Sequence, residues 1–302
     1  MVGLKRGLVQ LCAHQEEWAA EARNTMARLQ GILGERIEDI AHVGSTAIPF
    51  IQAKPIIDIA VAVKDFSVIL EKEDALRAAG FYYRPEAGPA GQLLFACGSC
   101  YEGTGELQTH FIHIVLAGSV PWRNYLAFRD YLNREPEAAH AYEALKLSLA
   151  AATDGREAYT RGKQAFIARI LHRALADSYL GKTVRIKIDR PLGSRHPVYA
   201  EWIYPVNYGY IPKTFGGDGE EMDVYLLGVA EPAEEYTARV IGVIHRKTDV
   251  EDKLIAAPEG MVLTKAEIAR AVAFQEQYFE GEIETIFEPD EIQFSAAGGG
   301  KS

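Results

Sequence analysis

Apolar residues recur every three or four positions near the start of the chain, as they do on one face of an amphipathic helix. These residues are Trp18, Ala22, Met26, Leu29 and Leu33. The pattern predicts a helix over residues 15–33 that stops at Gly34. Two apolar strands are then predicted at 37–43 and 54–63, separated by a Gly44-Ser45-Thr46 turn. Because helix and strand alternate, the sequence predicts an α/β domain.

Helical spacing returns in three later stretches, at 122–132, 136–149 and 156–180, and Gly181 ends the last of them. A pattern of short strands begins directly afterwards, at residue 184. This change of periodicity predicts a domain boundary near residue 180.

The second half of the chain consists mainly of short strands. They are predicted at 184–188, 222–228, 238–246 and 254–257. Thr264, followed three residues later by Glu267, forms a capping box, so one helix begins there and runs toward Tyr278. Strands closed by a helix suit a small barrel with loops gathered at one rim.

Composition narrows the range of functions. At 302 residues the chain is long enough for two domains that each bury a core. Its formal net charge of −10 argues against bulk electrostatic binding to nucleic acid or to an anionic membrane. No apolar run approaches the roughly 18 residues of a membrane span, and the N-terminus lacks the apolar core of a signal peptide. We therefore expect a cytoplasmic protein.

The three cysteines fit a reducing compartment better than a disulfide framework. Cys97 and Cys100 form a C-x-x-C motif, and His110 and His113 follow it at a spacing compatible with zinc. However, the segment around these histidines alternates like a strand, on which residues three apart point to opposite faces. We favour a hairpin with free thiols over a zinc site.

Acidic residues form two groups beside strands in the second half. The first group is Asp218, Glu220 and Asp223, and the second is Asp249, Glu251 and Asp252. Lys253 follows the second group. Carboxylates crowded at a strand end are costly unless a cation holds them, and Mg²⁺ takes oxygen ligands and bridges to phosphate oxygens. This ligand set predicts a metal-assisted phosphoryl hydrolase.

The run YPVNYGY at residues 204–210 precedes both acidic groups. Together they make residues 184–279 resemble the soluble, Mg²⁺-dependent inorganic pyrophosphatases. The resemblance implies Mg²⁺ ligands at Asp218, Glu220, Asp223, Asp249 and either Glu251 or Asp252. It also implies that Asp223 or Glu220 positions or deprotonates the attacking water. The phosphate would be held by Tyr208, Lys253, Tyr278 and Arg190.

Three departures from that family concern mainly its phosphate-binding half. Glu220 stands where the family has Asp, and Phe279 stands where a lysine usually follows the late tyrosine. The hairpin that normally carries a lysine and an arginine is shortened to residues 188–203. Its remaining cationic candidates are Arg190, Arg195 and His196.

A second resemblance lies in the first half, where HVGSTAIP at 42–49 is followed by KPIIDI at 54–59. With the strand around His113 and FRDYL at 128–132, these runs make residues 9–172 resemble the GrpB family of the nucleotidyltransferase superfamily. In that fold the Gly-Ser turn offers N–H groups to phosphate and an acid binds metal. The implied candidate site is His42, Gly44, Ser45, Lys54, Asp58 and His113. Nucleotidyl transfer uses a D-x-D pair, whose second position here is Ala60, so the activity of this domain is left open.

We therefore predict an α+β protein of two domains. A GrpB-like nucleotidyltransferase-fold domain is expected at 1–180, an OB-like pyrophosphatase barrel with a flanking helix at 181–290, and a flexible tail at 291–302. The expected reaction is Mg²⁺-dependent hydrolysis of inorganic pyrophosphate, with a small phosphate compound as the partner and a homo-oligomer compatible with the sequence. Two alternatives stay open: hydrolysis of another phosphorylated metabolite or nucleotide, and binding of metal or nucleotide without turnover.

Overall fold

The computed structural model describes residues 2–98, 107–152, 156–196, 201, 203–214, 221–247, 249, 251–287 and 293–294. It divides into two compact units, Met1–Ile167 and Ala168–Ser302. The predicted boundary near residue 180 stays a prediction. In the described part of the chain, none of the helices has the length and apolar character that a bilayer crossing demands.

The first unit combines a mixed sheet with helices. Its described strands are β1 (Leu4–Lys5), β2 (Ile37–Val43), β3 (Ile57–Val63), β4 (Tyr82–Tyr83), β5 (Leu93–Gly98) and β6 (Leu107–Leu116). Its described helices are α1 (Glu17–Leu33), α2 (Ser67–Leu70), α3 (Glu73–Ala78), α4 (Val120–Arg134), α5 (Pro136–Ala152) and α6 (Arg156–Gly162). Helix α7 (Gln164–Asp177) contains the division between the units.

The sheet has the order β2-β3-β6-β5-β4, and β1 pairs with β6. Strands β3 and β6 are parallel, whereas the other neighbours are antiparallel. β3 is buried along nearly its whole length, as expected of a central strand that is covered on both faces. The apolar stripe of α1, which includes Trp18 and Leu33, packs into the same core, so the predicted amphipathic helix is confirmed.

Two element predictions in this unit are wrong. The helix predicted over 156–180 is two helices, because α6 ends at Gly162 and α7 begins at Gln164. A Cβ on Gly162 would lie 2.5 Å from Leu149 Cδ2, so a larger residue there would require the Leu149 side chain of α5 to shift. The strand predicted from Lys54 starts only at Ile57, because the chain first turns at Pro55, with Ile56 N–H donating to the Lys54 carbonyl at 2.7 Å.

The two histidines of β6 confirm the strand alternation. His110 Nε2 lies 3.1 Å from Thr25 Oγ1 on α1, whereas His113 Nε2 lies 3.4 Å from Asp58 Oδ1. Cys97 is buried in the sheet core, and Cys100 lies outside the described residues. The histidines therefore serve different faces, which argues against a shared zinc ion.

The second unit is a closed barrel with an added helix. Its described strands are β7 (Thr183–Arg190), β8 (Asn207–Ile211), β9 (Met222–Leu226), β10 (Glu235–Arg246), β11 (Lys253–Ala257), β12 (Gly281–Thr285) and β13 (Gln293–Phe294). Its added helix is α8 (Lys265–Glu276), which begins with the predicted capping box of Thr264 and Glu267. The predicted tail lies outside the described residues except for β13, which pairs with β12, so its flexibility stays a prediction.

Five strands form the barrel in the order β11-β9-β8-β7-β10, and pairing of β10 with β11 closes it. β9 and β11 are parallel, and the other pairs in the ring are antiparallel. β12 continues from the far end of β10. The two-domain α+β fold with a small barrel is therefore as predicted.

Two residues of the YPVNYGY run shape this barrel. Asn207 is fully buried, accepts from the backbone N–H groups of Leu192 and Ala233 at 3.0 and 3.1 Å, and donates to the Glu231 carbonyl at 2.9 Å. A Cβ on Gly209 would lie 2.0 Å from the Lys187 carbonyl oxygen, so the close approach of β7 requires glycine.

A buried ion pair joins α8 to the barrel. Arg246 donates twice to Glu276, from Nε at 3.0 Å and from Nη2 at 2.7 Å, and both side chains are almost fully buried. Tyr225 donates its hydroxyl to the same carboxylate at 2.5 Å, and the guanidinium also lies 3.7 Å from the ring centroid of Phe279. Such a pair is stable in the interior only because every charge has partners.

Lys146 of α5, in the first unit, is a buried ionisable side chain. Its side chain is 1% exposed, and its ammonium donates to the Gln52 carbonyl at 2.5 Å and lies 4.7 Å from the ring centroid of Tyr142. Burial, together with the charge of nearby Lys163, lowers the pKa of Lys146 to about 7.

Stability of the first unit should therefore rise with pH relative to a Lys146→Met variant. Above the lowered pKa the folded side chain is neutral while the unfolded one still binds a proton, so raising the pH favours folding until the ordinary pKa is reached. Between about pH 7.5 and about pH 9 the free energy of unfolding of the parent, measured in urea, should rise by roughly 2 kcal/mol relative to that of the variant. Lys64→Met, which removes an exposed lysine paired with Glu38, should show no such gain. A difference independent of pH would contradict a neutral buried Lys146.

Glu276→Ala should destabilise the barrel by about 3 kcal/mol, because among the described residues it leaves the buried Arg246 guanidinium with Asp249 alone as an anionic partner. Chemical denaturation followed by circular dichroism measures this loss. The adjacent Gln277→Ala is the matched control, with an expected change within about 0.5 kcal/mol. A loss below about 1 kcal/mol for Glu276→Ala would show that the pair does not hold the helix.

Candidate functional site

Four side chains of the second unit form what we term the carboxylate cluster: Tyr208, Asp223, Glu251 and Lys253. Asp223 Oδ2 accepts a 2.6 Å hydrogen bond from the Tyr208 hydroxyl and also contacts the Lys253 ammonium. The same ammonium lies 2.5 Å from Glu251 Oε2. Lys253 is 4% exposed, whereas the two carboxylates are about one-third exposed, so they form the solvent-facing side of the cluster.

Strand pairing explains why distant residues meet here. Tyr208 of β8 lies opposite Tyr225 of β9, so the side chains of Tyr208 and Asp223 fall on the same face of neighbouring strands. Leu254 of β11 pairs with Val224 of β9 in a parallel ladder, which brings the preceding residues, Lys253 and Asp223, together at the start of both strands. The sheet register thus assembles two of the predicted acidic segments.

Tyr208 acts in this cluster as a neutral hydrogen-bond donor. Burial raises the pKa of its hydroxyl well above the ordinary range, and the negative charge of Asp223 raises it further. The phenol therefore keeps its proton and holds one oxygen of Asp223 in place.

Asp249 belongs to the neighbouring ion-pair network rather than to the Lys253 contacts. Arg246 Nη1 donates to Asp249 Oδ2 at 2.8 Å while its other nitrogens hold Glu276. The Tyr208 ring packs edge-on against Tyr225, the second donor to Glu276, with centroids 4.8 Å apart. One continuous set of contacts therefore runs from Asp223 to Asp249.

Sequence reasoning missed Arg246 and Glu276, which position Asp249. One signal was available: Arg246 ends the apolar run of β10, where a charged residue on a buried strand needs an ionic partner. The identity of that partner depends on the packing of α8 and is not visible in the sequence.

Arg190 lies beside the cluster through backbone pairing. It is the cross-strand partner of Tyr208, and its Nη1 donates to Asp189 Oδ2 at 2.7 Å. Burial raises the pKa of Tyr204, and the positive charge of Arg190 opposes that rise. The guanidinium is therefore close enough to Tyr204 to interact with it electrostatically. The His196 ring stacks on Tyr204 at 6.1 Å between centroids.

Other predicted site residues lie elsewhere. Asp252 is buried and bonds to His245 Nδ1 at 2.7 Å and to the Arg246 backbone N–H at 3.2 Å, so Glu251 is the acid that meets Lys253. Tyr278 is expected on the C-terminal helix, but α8 ends at Glu276, before it. The Tyr278 side chain is 56% exposed. Asp218 and Glu220 lie outside the described residues.

The donor set of the cluster suits a hard divalent cation. Asp223 and Glu251 converge on one positive charge, the Lys253 ammonium, which stands in for a cation between two carboxylates. Oxygen ligands on partly exposed side chains are those that Mg²⁺ prefers.

The predicted site of the first unit surrounds a cavity of about 470 Å³. Ser45, Lys54, Asp58 and His113 line it, together with Lys5, Lys163, Tyr125 and Tyr159. Lys54 and Lys163 lie 4.1 and 4.7 Å from the ring centroid of Tyr159. Three lysines beside one acid give this cavity a positive lining.

Asp58 is fixed by Gly44 on one side and by His113 on the other. Gly44 has φ +70°, and a Cβ there would lie 2.6 Å from Asp58 Oδ2, so the acid occupies the space that a side chain would need. His113 Nδ1 lies 3.0 Å from the Tyr125 hydroxyl. His42 instead meets Thr46 Oγ1 at 2.9 Å, and burial lowers its pKa to about 4, so the ring is neutral at pH 7.

Comparisons with known proteins cover both units. The GrpB protein family matches residues 8–173, and the inorganic pyrophosphatase family matches residues 180–288. Glutamate-rich protein GrpB of Alkalihalophilus pseudofirmus is 36% identical over 174 residues, which cover 57% of this chain and 99% of that protein. A crystal structure of GrpB from Enterococcus faecalis, 30% identical, superposes with a TM-score of 0.51 over 56% of this chain and 99% of that chain.

The second unit matches its curated relatives over shorter stretches. Inorganic pyrophosphatase of Saccharolobus solfataricus is 43% identical over 77 residues, which are 24% of this chain and 41% of that protein. The chain thus spans less than half the length of that pyrophosphatase. From the match over more than half its length, the chain belongs to the GrpB family, and it carries after that domain a second domain of the inorganic pyrophosphatase family.

Proposed function

We propose that the second unit hydrolyses inorganic pyrophosphate to two phosphates with Mg²⁺ as cofactor. The observation that carries this proposal is the convergence of Asp223 and Glu251 on a single positive charge, with Tyr208 as a neutral donor to Asp223. The pyrophosphatase family match over residues 180–288 supports the same reaction.

Mg²⁺ would be held by Asp223, Glu251 and Asp249, with Asp218 and Glu220 as the further ligands implied by the family pattern. When bound, the ion supplies a water of lowered pKa and neutralises charge on the phosphate oxygens. Asp223 would orient that water or take its proton, a role supported by the Tyr208 hydrogen bond that holds one of its two oxygens.

The remaining groups stabilise negative charge on phosphate. Lys253 and Arg190 are the cations in and beside the cluster, and both carry charge that a departing phosphate needs. Arg246 is a positioning residue that does not itself contact the substrate. Its guanidinium holds Asp249, and Glu276 in turn holds the guanidinium. Tyr278, exposed after α8, would reach the substrate from the solvent side.

A second reading is hydrolysis of another phosphorylated metabolite or nucleotide. The observation that favours it is the short connection between β7 and β8, residues 191–206, where the family pattern would supply further phosphate-binding cations. Pyrophosphate carries a high negative charge and needs several cations to bind it. A pocket with fewer cations can therefore accept a phosphate compound of lower charge.

For the first unit we propose binding of a phosphate-bearing ligand such as a nucleotide. The cavity size lies within the range of small-molecule sites. Lys54 and Lys163, held beside the buried Tyr159 ring, supply positive charge for a phosphate group. Asp58 beside Gly44 and Ser45 is suited to a single cation that bridges to phosphate, and Ala60 in place of a second acid argues against two-metal transfer.

Phosphate release from pyrophosphate with Mg²⁺ tests the proposal for the second unit. The parent should turn over, and Asp223→Asn should lose at least about 100-fold in rate, because a metal ligand and water-orienting group is removed. Replacement of Mg²⁺ by Ca²⁺ should also abolish release, since Ca²⁺ accepts loose geometry and acidifies water less.

The matched control is Glu235→Gln, which breaks an exposed ion pair to Arg185 on the same barrel and should leave the rate unchanged. Release of phosphate from a nucleotide or a sugar phosphate, but not from pyrophosphate, would contradict the pyrophosphatase proposal and support the second hypothesis. Thermal stabilisation by Mg²⁺ without release from any phosphate compound would identify a binding protein instead.

ATP binding by the full chain tests the cavity of the first unit. In an Asp223→Asn background, which disables the other site, Lys54→Met should weaken ATP binding about tenfold by removing one charge contact. Isothermal titration gives both constants, with Lys64→Met as the control for an exposed lysine outside the cavity. Equal affinities for the two variants would show that ATP does not occupy this cavity.

A further inference from the structure

A second group of metal-ligand atoms lies in the second unit, apart from the carboxylate cluster. It consists of Asp177 at the end of α7, His245 on β10 and Glu284 on β12. We propose that these three residues bind a divalent transition-metal ion, for which zinc is the best match. Asp177 precedes the residues that match the pyrophosphatase family, so that family does not imply this site.

The distances fit a tetrahedral zinc site. His245 Nε2 lies 3.3 Å from Asp177 Oδ1 and 3.4 Å from Glu284 Oε2. Zinc bonds of about 2.0–2.1 Å at tetrahedral angles place neighbouring ligand atoms roughly 3.3–3.4 Å apart. All three ligand atoms lie within 4.8 Å of one another, so one ion can contact all of them.

A proton on Nε2 explains these distances less well. A charge-assisted hydrogen bond from imidazolium to carboxylate draws nitrogen and oxygen to about 2.7–2.9 Å, as seen on the other side of this ring, where Nδ1 lies 2.7 Å from Asp252 Oδ2. On the Nε2 side two oxygens stand at nearly equal and longer distances. That spacing leaves room for an ion at the centre of the three atoms.

Asp252 supplies the outer support that metal-binding histidines have. Its Oδ2 accepts from His245 Nδ1, and its Oδ1 accepts from the Arg246 backbone N–H at 3.2 Å. This bond places the proton of a neutral imidazole on Nδ1 and turns the Nε2 lone pair toward Asp177 and Glu284. The buried acid, which the sequence suggested as a magnesium ligand, thus orients a ligand of another site.

The local charge also calls for a cation. Three carboxylates, those of Asp177, Asp252 and Glu284, surround one imidazole, and the first two are nearly buried. Counted over these four side chains alone, a protonated His245 leaves a net charge of about −2, whereas a divalent ion beside a neutral ring leaves about −1. Glu284 is 54% exposed, so an ion can enter from solvent on that side.

Mixed nitrogen and oxygen ligands distinguish this site from the carboxylate cluster. Imidazole and carboxylate together suit zinc, whereas an all-oxygen set suits Mg²⁺. The two sites should therefore be separable by the metal supplied.

The experiment is a zinc titration of the chelator-treated full chain in the Asp223→Asn background, in competition with a chromophoric chelator. The chain without further change should bind one zinc ion. Glu284→Gln should weaken binding at least tenfold, and because Glu284 is half-exposed the variant keeps its fold. His245→Gln should abolish binding.

Glu282→Gln is the matched control, because Glu282 lies on the same strand and face as Glu284 but pairs with Lys247. It should bind zinc like the parent. Cobalt gives an independent readout, since a tetrahedral site with nitrogen and oxygen ligands yields visible absorption that Glu284→Gln should remove. The proposal is overturned if the parent takes up no zinc, or if Glu284→Gln and Glu282→Gln bind it equally.

Discussion

Pairing of buried charge is the constraint on which the second unit depends. Arg246 and Glu276 are both nearly inaccessible to water, and each would be unstable in the interior without the other. Their pairing attaches α8 to the barrel and leaves one guanidinium nitrogen for Asp249. The geometry of an acid at the surface is therefore set by an ion pair in the core, so structural and chemical requirements act on the same residues.

The YPVNYGY run divides between these two requirements. Asn207 closes three backbone hydrogen bonds, and Gly209 gives β7 the space to approach, so both residues serve the barrel. Tyr208, between them, points its hydroxyl at Asp223. A run of sequence that identifies a family need not consist of reacting groups, because the scaffold that aims one side chain needs its own fixed residues.

Periodic features of the sequence predicted the fold well, and contact-dependent features did not follow from it. The stripe of α1, the strand β2 and the capping box of α8 depend on local spacing, which the sequence shows directly. The break between α6 and α7 falls inside a continuous helical pattern, and the partner of Arg246 depends on where α8 packs. The same limit applies at the site, where Glu251 and Asp252 are adjacent in sequence and only the barrel register separates their roles.

His245 and Arg246 are neighbours on β10, and neighbours on a strand face opposite sides of the sheet. One side holds Asp177, Asp252 and Glu284, and the other holds Glu276 and Asp249. A slip of β10 by one residue would put each cation among the wrong partners and break both sets together. Ionic contacts on both faces of β10 therefore fix its register. Insertions or deletions in this strand should be among the least tolerated changes in the chain.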